Sequence, residues 1–211
     1  MNKKYADYRG VRNLVAALVL TDDGTEFEAD KWNELEGAVS VNIEGEESTA
    51  SKYRDNLPVG SISTEGPDTA TVNMDVLANK VRAWLEGRAY SEANDVYIKT
   101  PKKNQTFVFG CIAKKDDGTE EAIIMYSTKV TGGNEEHATE DDGTDVTTVE
   151  YTFTGSYTKT KFTIGTEKLP VKRITVPLST VVTEAKLFGE FTDGVSTLAP
   201  LTPEAIIALK A

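Results

Sequence analysis

The sequence predicts an α+β fold that is mainly β: two packed antiparallel sheets, as a sandwich or half-barrel, flanked by one amphipathic helix. Three observations predict it. Segments of alternating apolar and polar residues recur along the chain between Gly, Asp, Asn and Pro, the pattern of half-buried strands. Residues 74–86 instead carry apolar residues at helical spacing. No apolar run approaches the roughly 20 residues of a membrane-spanning helix; the longest, residues 14–20, is of strand length.

The elements follow in order. Residues 1–9 form a polar arm without an apolar signal region, expected to order only against a neighbour. Residues 12–21 read as a first strand, closed by the turn Asp22-Asp-Gly-Thr25. The same four residues recur at 116–119, between strands at 105–114 and 121–130. Asp-Gly at both places predicts tight hairpin turns with positive φ at both central positions. Apolar residues on both faces of 107–112 suggest that this hairpin is covered on both sides.

Residues 38–43 alternate cleanly as a strand, residues 44–58 read as a long polar loop, and the strand pattern resumes at 59–64 and 70–74. In the helix that follows, Leu77, Val81, Trp84 and Leu85 share one face as a core plug. Asn79, Lys80, Arg82 and Glu86 take the other face. Asn73 or Asp75 suits the start and Gly87 the stop. Residues 90–100 form a connection with a short strand at 96–99. Residues 131–145 read as a mobile acidic loop, and 147–154 as an alternating, Thr-rich strand. Residues 157–166 continue as a ribbon, 171–177 form a short strand, and 180–188 a brief helix or strand. A terminal helix spans 203–210, with Thr202 as cap and Pro203 at its first position. The division expected is a β domain over 1–156 and a C-terminal extension over 157–211, the latter either separate or part of the same domain.

Composition narrows the function. With 211 residues and 39% hydrophobic content the chain can fill a sizeable core, and its net charge of −11 opposes binding to nucleic acid. The single cysteine, Cys111, excludes an intramolecular disulfide and reads as a buried small hydrophobe. The single histidine, His137, lies in the acidic loop, so zinc and a Cys–His pair are both disfavoured. Residues 141–145 space carboxylates loosely like a calcium loop, but without the length, closing Glu or flanking helices of an EF-hand. The pairs Glu46/Glu47, Glu120/Glu121 and Glu135/Glu136 give no reason to assign an acid and a base. No phosphate-binding Gly-rich loop or nucleophile elbow occurs. The reading is therefore a non-enzymatic protein without cofactor, metal or membrane segment, acting through assembly or binding.

Several segments, taken in order, resemble the major tail (tail tube) proteins of long-tailed siphophages, the phi13-type group in particular. They are Gly10-Val-Arg-Asn-Leu14, the strand Leu35-Glu-Gly-Ala-Val-Ser-Val-Asn-Ile43, the loop signature Tyr53-Arg-Asp-Asn56, and the helix ending in Gly87. The Phe-rich strand at 107–111, paired with one bearing Tyr126, and the Thr-rich strand at 147–154 complete them. Arg54 stands where that family has a small residue, and 157–211 match it poorly. The resemblance implies two antiparallel sheets beside a helix, and subunits that join sheets into rings, six to a ring, stacked as a self-assembled tube. Genomic DNA would pass through the lumen without specific binding. Tyr53, Asp55 and Asn56, with the arm and the 44–58 loop, would contact the next ring. Partners would be further copies and the tape-measure, terminator and baseplate proteins, in a virion tail assembled in the host cytoplasm. An acidic lumen would repel phosphate, although the acidity is equally suited to keeping subunits soluble.

Two other readings stand beside it. A tube subunit of a contractile secretion system, or a tail terminator, shares the expected architecture. A carbohydrate-binding β-sandwich needs an exposed aromatic platform, for which Trp32 is the sole candidate once Trp84 is placed in the core.

Overall fold

The computed structural model describes residues 8–54, 57–134 and 148–210. In chain order the first elements are β1 (Tyr8–Asp22), β2 (Phe27–Ala29), β3 (Asn33–Glu34), β4 (Ala38–Arg54), β5 (Leu57–Met74) and α1 (Asn79–Glu86). Next come β6 (Ala89–Ser91), β7 (Val96–Ile98), β8 (Phe107–Lys115), β9 (Glu120–Asn134) and β10 (Val149–Gly155). The C-terminal part adds β11 (Lys161–Ile164), β12 (Glu167–Pro170), β13 (Arg173–Pro177), α2 (Glu184–Phe188), β14 (Phe191–Thr192), β15 (Val195–Ser196) and α3 (Pro203–Ala208).

Among the described residues, 11 strands join one sheet in the order β14-β15-β3-β1-β8-β9-β10-β5-β4, with β2 beside β1 and β13 beside β9. All its pairings are antiparallel. The fold is thus mainly β, as expected, and hydrogen bonding runs continuously through what the sequence suggested as two sheets. The sheet curls into a half-barrel: Phe109 on β8 and Phe153 on β10 stack at 4.5 Å across the intervening β9.

The central strands are buried on both faces. Inside the curl, Leu14, Ala16, Phe107, Phe109, Cys111, Met125, Ala70, Val72, Met74, Tyr151 and Phe153 form one core. On the opposite face Val15, Ala17, Val108, Ile112, Ala122, Ile124 and Tyr126 meet Trp32, Val176, Val182, Leu187, Phe188 and Ile206. The alternation on 107–112 therefore does report two covered faces. Gly110 allows the second layer to approach, since a Cβ there would lie 2.8 Å from the Phe188 ring and 3.2 Å from that of Trp32.

β1 keeps Val11 and Leu14 in the same core although they are three residues apart, which strict alternation forbids. The pairing with β8 shifts register between Arg12 and Val15, and Asn13 has φ 50°. This is a β-bulge with Asn, a residue tolerant of that conformation, at the turnover point. Arg12 and Asn13 there hold Glu184 of α2 (2.5 and 2.7 Å), and Arg12 also binds Glu120 at 2.7 Å.

Three sequence expectations change. The helix begins at Asn79, five residues later than predicted, because Met74 pairs with both Ala38 and Val149 in the sheet. Sheet pairing outweighs helical spacing there, so Leu77 packs into the core ahead of the helix. Neither Asn73 nor Asp75 is the cap: Ala78 occupies that position without a side-chain bond, while Gly87 ends the helix at φ 65° as expected. Glu86 does not face solvent; it is 8% exposed and accepts bonds from Tyr97 (2.6 Å), Arg82 (3.0 Å) and Tyr151 (3.1 Å).

The second change is at residues 44–58. What reads as a long polar loop is the continuation of β4 into β5 as a hairpin, paired from Ala38↔Met74 to Arg54↔Leu57. Residues 44–49, the described side chains of that stretch, are all exposed, so its polar composition there suits a strand in water. The third concerns the Asp-Gly turns. Asp23 and Asp117 have ordinary φ, and only Gly24 and Gly118 are positive (99° and 83°). Gly118 N bonds Lys115 O at 3.1 Å and Lys115 N bonds Thr119 O at 2.8 Å, a three-residue loop with glycine in the left-handed position. Asp117 Oδ1 accepts from the Thr119 amide and hydroxyl (2.9 and 2.6 Å), which favours this turn over the two-residue form.

Residues 157–210 supply β13 and β14–β15 to the main sheet, an isolated β11–β12 ribbon, and α2 and α3 over the second core. Thr202 caps α3 by accepting from the Ala205 amide, with Pro203 in the first turn.

Candidate assembly surface

Four strands define the surface: the distal half of β9, then β10, β5 and β4. Their inward side chains (Val130, Tyr151, Phe153, Ala70, Val72) enter the first core. The outward set runs in register: Thr131, Thr152, Thr71 and Asn42 in one row, and Lys129, Thr154, Thr69 and Glu44 in the next. Glu150, Asn73 and Ser40 make a third row, in which Asn73 donates to Ser40 Oγ at 3.2 Å. Threonine suits this face twice, since its branched Cβ favours the strand and its hydroxyl meets water. Hydroxyls and amides dominate it, with two carboxylates and one ammonium.

Neither side of this four-strand limb has a further strand among the described residues. Among the described residues β4 has a strand partner only in β5. Past Thr128, where pairing with β8 ends, β9 has a strand partner only in β10. Lys102 reaches Val130 O and Lys129 reaches Asn104 Oδ1 (3.0 Å) from the segment beside that second edge. Burial works against the Lys102 ammonium and, with Arg88 nearby, pulls its pKa below the ordinary lysine value. Between the β4 edge and the first half of β1 lies a groove of about 490 Å³, lined by Val11, Val41, Ile43, Ala113 and Ile123 among others.

β10 stops at Gly155, opposite Asp68, and from there the β4–β5 hairpin continues as a free two-stranded ribbon. Eight pairs, Glu47↔Glu65 through Arg54↔Leu57, extend it by about 27 Å at the usual strand rise. At its root Lys172 Nζ contacts Asp68 Oδ1 (2.9 Å), Gly66 O (2.9 Å) and Glu65 Oε2 (3.9 Å). Arg173 adds a contact to Asp68 Oδ2 at 3.3 Å, and Tyr157 donates its hydroxyl to Glu65. Asp68 and Lys172 are 5% and 9% exposed. Burial opposes the Lys172 charge, but the Asp68 bond and charge outweigh it and raise its pKa. Nothing local in the sequence marks this cluster, because its two halves lie about a hundred residues apart in the chain.

Of the residues expected to meet a neighbouring ring, Tyr53 lies in β4 opposite Pro58, near the ribbon tip. Asp55 and Asn56 lie outside the described residues, as do His137, residues 141–145 and the first seven residues. Leu85 is buried, and Val81 and Trp84 pack partly buried on the first core, with Trp84 edge-on to Phe107 at 5.0 Å. Trp32 is not a surface platform. It is fully buried, donates Nε1–H to Leu187 O at 3.2 Å, and meets the Phe188 ring edge-on at 5.4 Å. Its flanking Asp30, Lys31 and Asn33 gave it a polar setting in sequence, whereas the C-terminal segment that covers it is distant in the chain.

Cys111 is buried, and burial pushes its thiol up to about 12, away from nucleophilic use. Among the described residues no three His, Cys, Asp or Glu side chains gather as metal ligands, and no helix is long and apolar enough to cross a membrane.

No family model matches the chain, and no curated protein does. A solved structure that it resembles is a chain of an extracellular contractile injection system, the PVC sheath–tube complex in its extended state, determined by cryo-EM. The two share 12% identity over 79% of this chain and 89% of that one, with a TM-score of 0.37. A superposition that loose transfers no role from one chain to the other.

Proposed function

We propose that this chain is a non-enzymatic structural subunit that joins its sheet to copies of itself, closing rings that stack into a tube. The observation that carries the reading is the four-strand limb with, among the described residues, an edge on each side that lacks a strand partner, at β4 and at distal β9. A long open edge is a template for pairing with another chain. Neighbouring strands in the limb are antiparallel, so β4 of one copy meets β9 of the next with the alternation intact. The two edges differ, so the contact is head-to-tail, and such contacts close rings when the rotation permits.

The polar rows then face the bore. Both cores, α1 and residues 157–210 then lie on the outer side of the limb in the ring. The ribbon, with Tyr53 near its tip, projects toward the next ring. Residues 157–210 belong to the same unit, since they add strands to its sheet and cover its second core. In its finer form this is the tail tube of a siphophage, conducting DNA, assembled in a bacterial cytoplasm with tape-measure, terminator and baseplate partners. The tube of a contractile injection system is the alternative setting, distinguished by a sheath around it. Co-purification of the native assembly with a sheath protein or with DNA separates the two.

The test is covalent capture of the edge contact in an Asn42→Cys, Thr131→Cys variant. Within one chain these positions stand three strand spacings apart, about 14 Å, beyond disulfide reach. Oxidation of concentrated protein is expected to give a ladder of oligomers ending in one closed species, with rings in negative-stain images. A protein that stays monomeric at all concentrations, uncrosslinked, overturns the reading.

A further inference from the structure

We infer that Lys172 is a positioning residue that fixes the direction in which the β4–β5 ribbon leaves the body, so that the ribbon is aimed before any copy-to-copy contact forms. The inference rests on the assembly reading for its consequence, but its geometry stands alone. The ribbon root is built as a joint. β10 ends opposite Asp68, the β4–β5 register shifts between Gly45 and Glu47, and Gly66-Pro67 lies across from that shift. A bulge between glycines is where a two-stranded ribbon bends with least resistance. Beyond the joint, Glu46, Glu47, Ser48, Thr49, Ser63 and Thr64 are all exposed, so these described side chains do not hold the ribbon to the body.

Lys172 supplies what those side chains do not. Its backbone is tied to the sheet: Lys172 O accepts from Tyr126 N at 3.1 Å, and the next residue pairs with Met125. Its ammonium points to three successive parts of the root, namely the Asp68 carboxylate, the Gly66 carbonyl and, more distantly, the Glu65 carboxylate. Of its three donors, two are within hydrogen-bond distance of Asp68 and Gly66, and the Glu65 carboxylate adds charge attraction at 3.9 Å. The Tyr157 ring covers the ammonium at 5.0 Å while its hydroxyl holds Glu65, so the C-terminal segment grips both sides of the root. One body-anchored cation thus spans the joint, from the buried Asp68 carboxylate on its body side to the Gly66 carbonyl within it and the Glu65 carboxylate beyond it.

The experiment measures ribbon direction directly. Spin labels at Ser63→Cys on the ribbon and Lys114→Cys on β8 report one distance distribution; buried Cys111 takes no label. The parent is expected to give one narrow peak. Lys172→Met, which keeps the stem and removes every donor, is expected to widen it at least twofold without changing the circular dichroism of the body. Asp68→Asn, nearly isosteric, is expected to widen it less and serves if Lys172→Met does not fold. Ring stacking by Lys172→Met is expected to fall at least tenfold. An unchanged width in both variants overturns the inference whatever happens to assembly, and a widened ribbon that stacks normally overturns its aiming role. A widened ribbon beside a parent that never assembles leaves the brace standing and removes the tube reading instead.

Discussion

Trp32 and Glu121 show how far a single residue's role depends on what folds over it. Trp32 sits among polar neighbours in sequence, yet its ring fills the space between Gly110 and Phe188, and its N–H is satisfied by Leu187 O. Replacing it with alanine removes a fully buried ring and leaves a cavity, so Trp32→Ala is expected to lose about 3–5 kcal/mol in urea unfolding. A near-neutral result would mean that the second core is not packed as described. Glu121 is also nearly buried and binds Lys115 at 2.6 Å and the Tyr8 hydroxyl. Burial alone would raise its pKa, but the Lys115 and Tyr8 bonds prevail and hold it below the ordinary glutamate value. Its folded pKa is therefore below the unfolded one. Its contribution is complete above the unfolded value, near about 4.3, and disappears as pH falls through the folded one. Glu121→Gln is expected to be less stable than the parent by about 1.5–3 kcal/mol at neutral pH. The gap should close on acidification below the carboxylate range; a gap independent of pH would contradict the assignment.

At the scale of elements, legibility follows the range of the interactions that form each one. The Phe-rich strand β8 and its partner β9 were readable because their alternation and the turn between them lie within thirty residues. The caps of α3 were readable for the same reason. The start of α1 was not, because Met74 has two sheet partners that stand 36 and 75 residues away in the chain. The β4–β5 ribbon was missed for a different reason. Strand periodicity is a record of one buried face, and among the described side chains from Glu46 to Thr49 and at Ser61, Ser63, Thr64 and Glu65 this hairpin shows none. Its hydrogen bonds are satisfied strand to strand while its side chains are free to be polar, so composition imitates a loop. The acid–base cluster at its root was beyond reach as well, since Lys172 and Asp68 meet only after the C-terminal segment has returned to the sheet. The outward rows of threonine were half legible. Thr69, Thr71 and Asn73 announce a polar face, but only the register shows that it continues across β10 onto β9 and β4.

For the whole molecule, the placement of charge separates a bore that repels a polyanion from one that is merely inert to it. The chain carries −11 overall, but among the described residues the three rows proposed for the bore hold only Glu44, Glu150 and Lys129 as charged groups among hydroxyls and amides. Such a lining offers phosphates little to bind and little to avoid. One lysine per subunit should upset that balance, because rings repeat it at close spacing in a confined channel. Thr152 is the place to put it, since it is half-exposed at the centre of the face and surface substitutions of this kind usually shift stability by no more than about 0.5 kcal/mol. Tubes of Thr152→Lys are expected to retain double-stranded DNA at low salt, to protect it from nuclease, and to release it steeply as salt rises. Thr119→Lys, in the exposed β8–β9 turn, adds the same charge away from the limb. Its tubes are expected to bind DNA that nuclease still digests. Protection by Thr119→Lys tubes with none by Thr152→Lys tubes would place the threonine face on the outside of the tube.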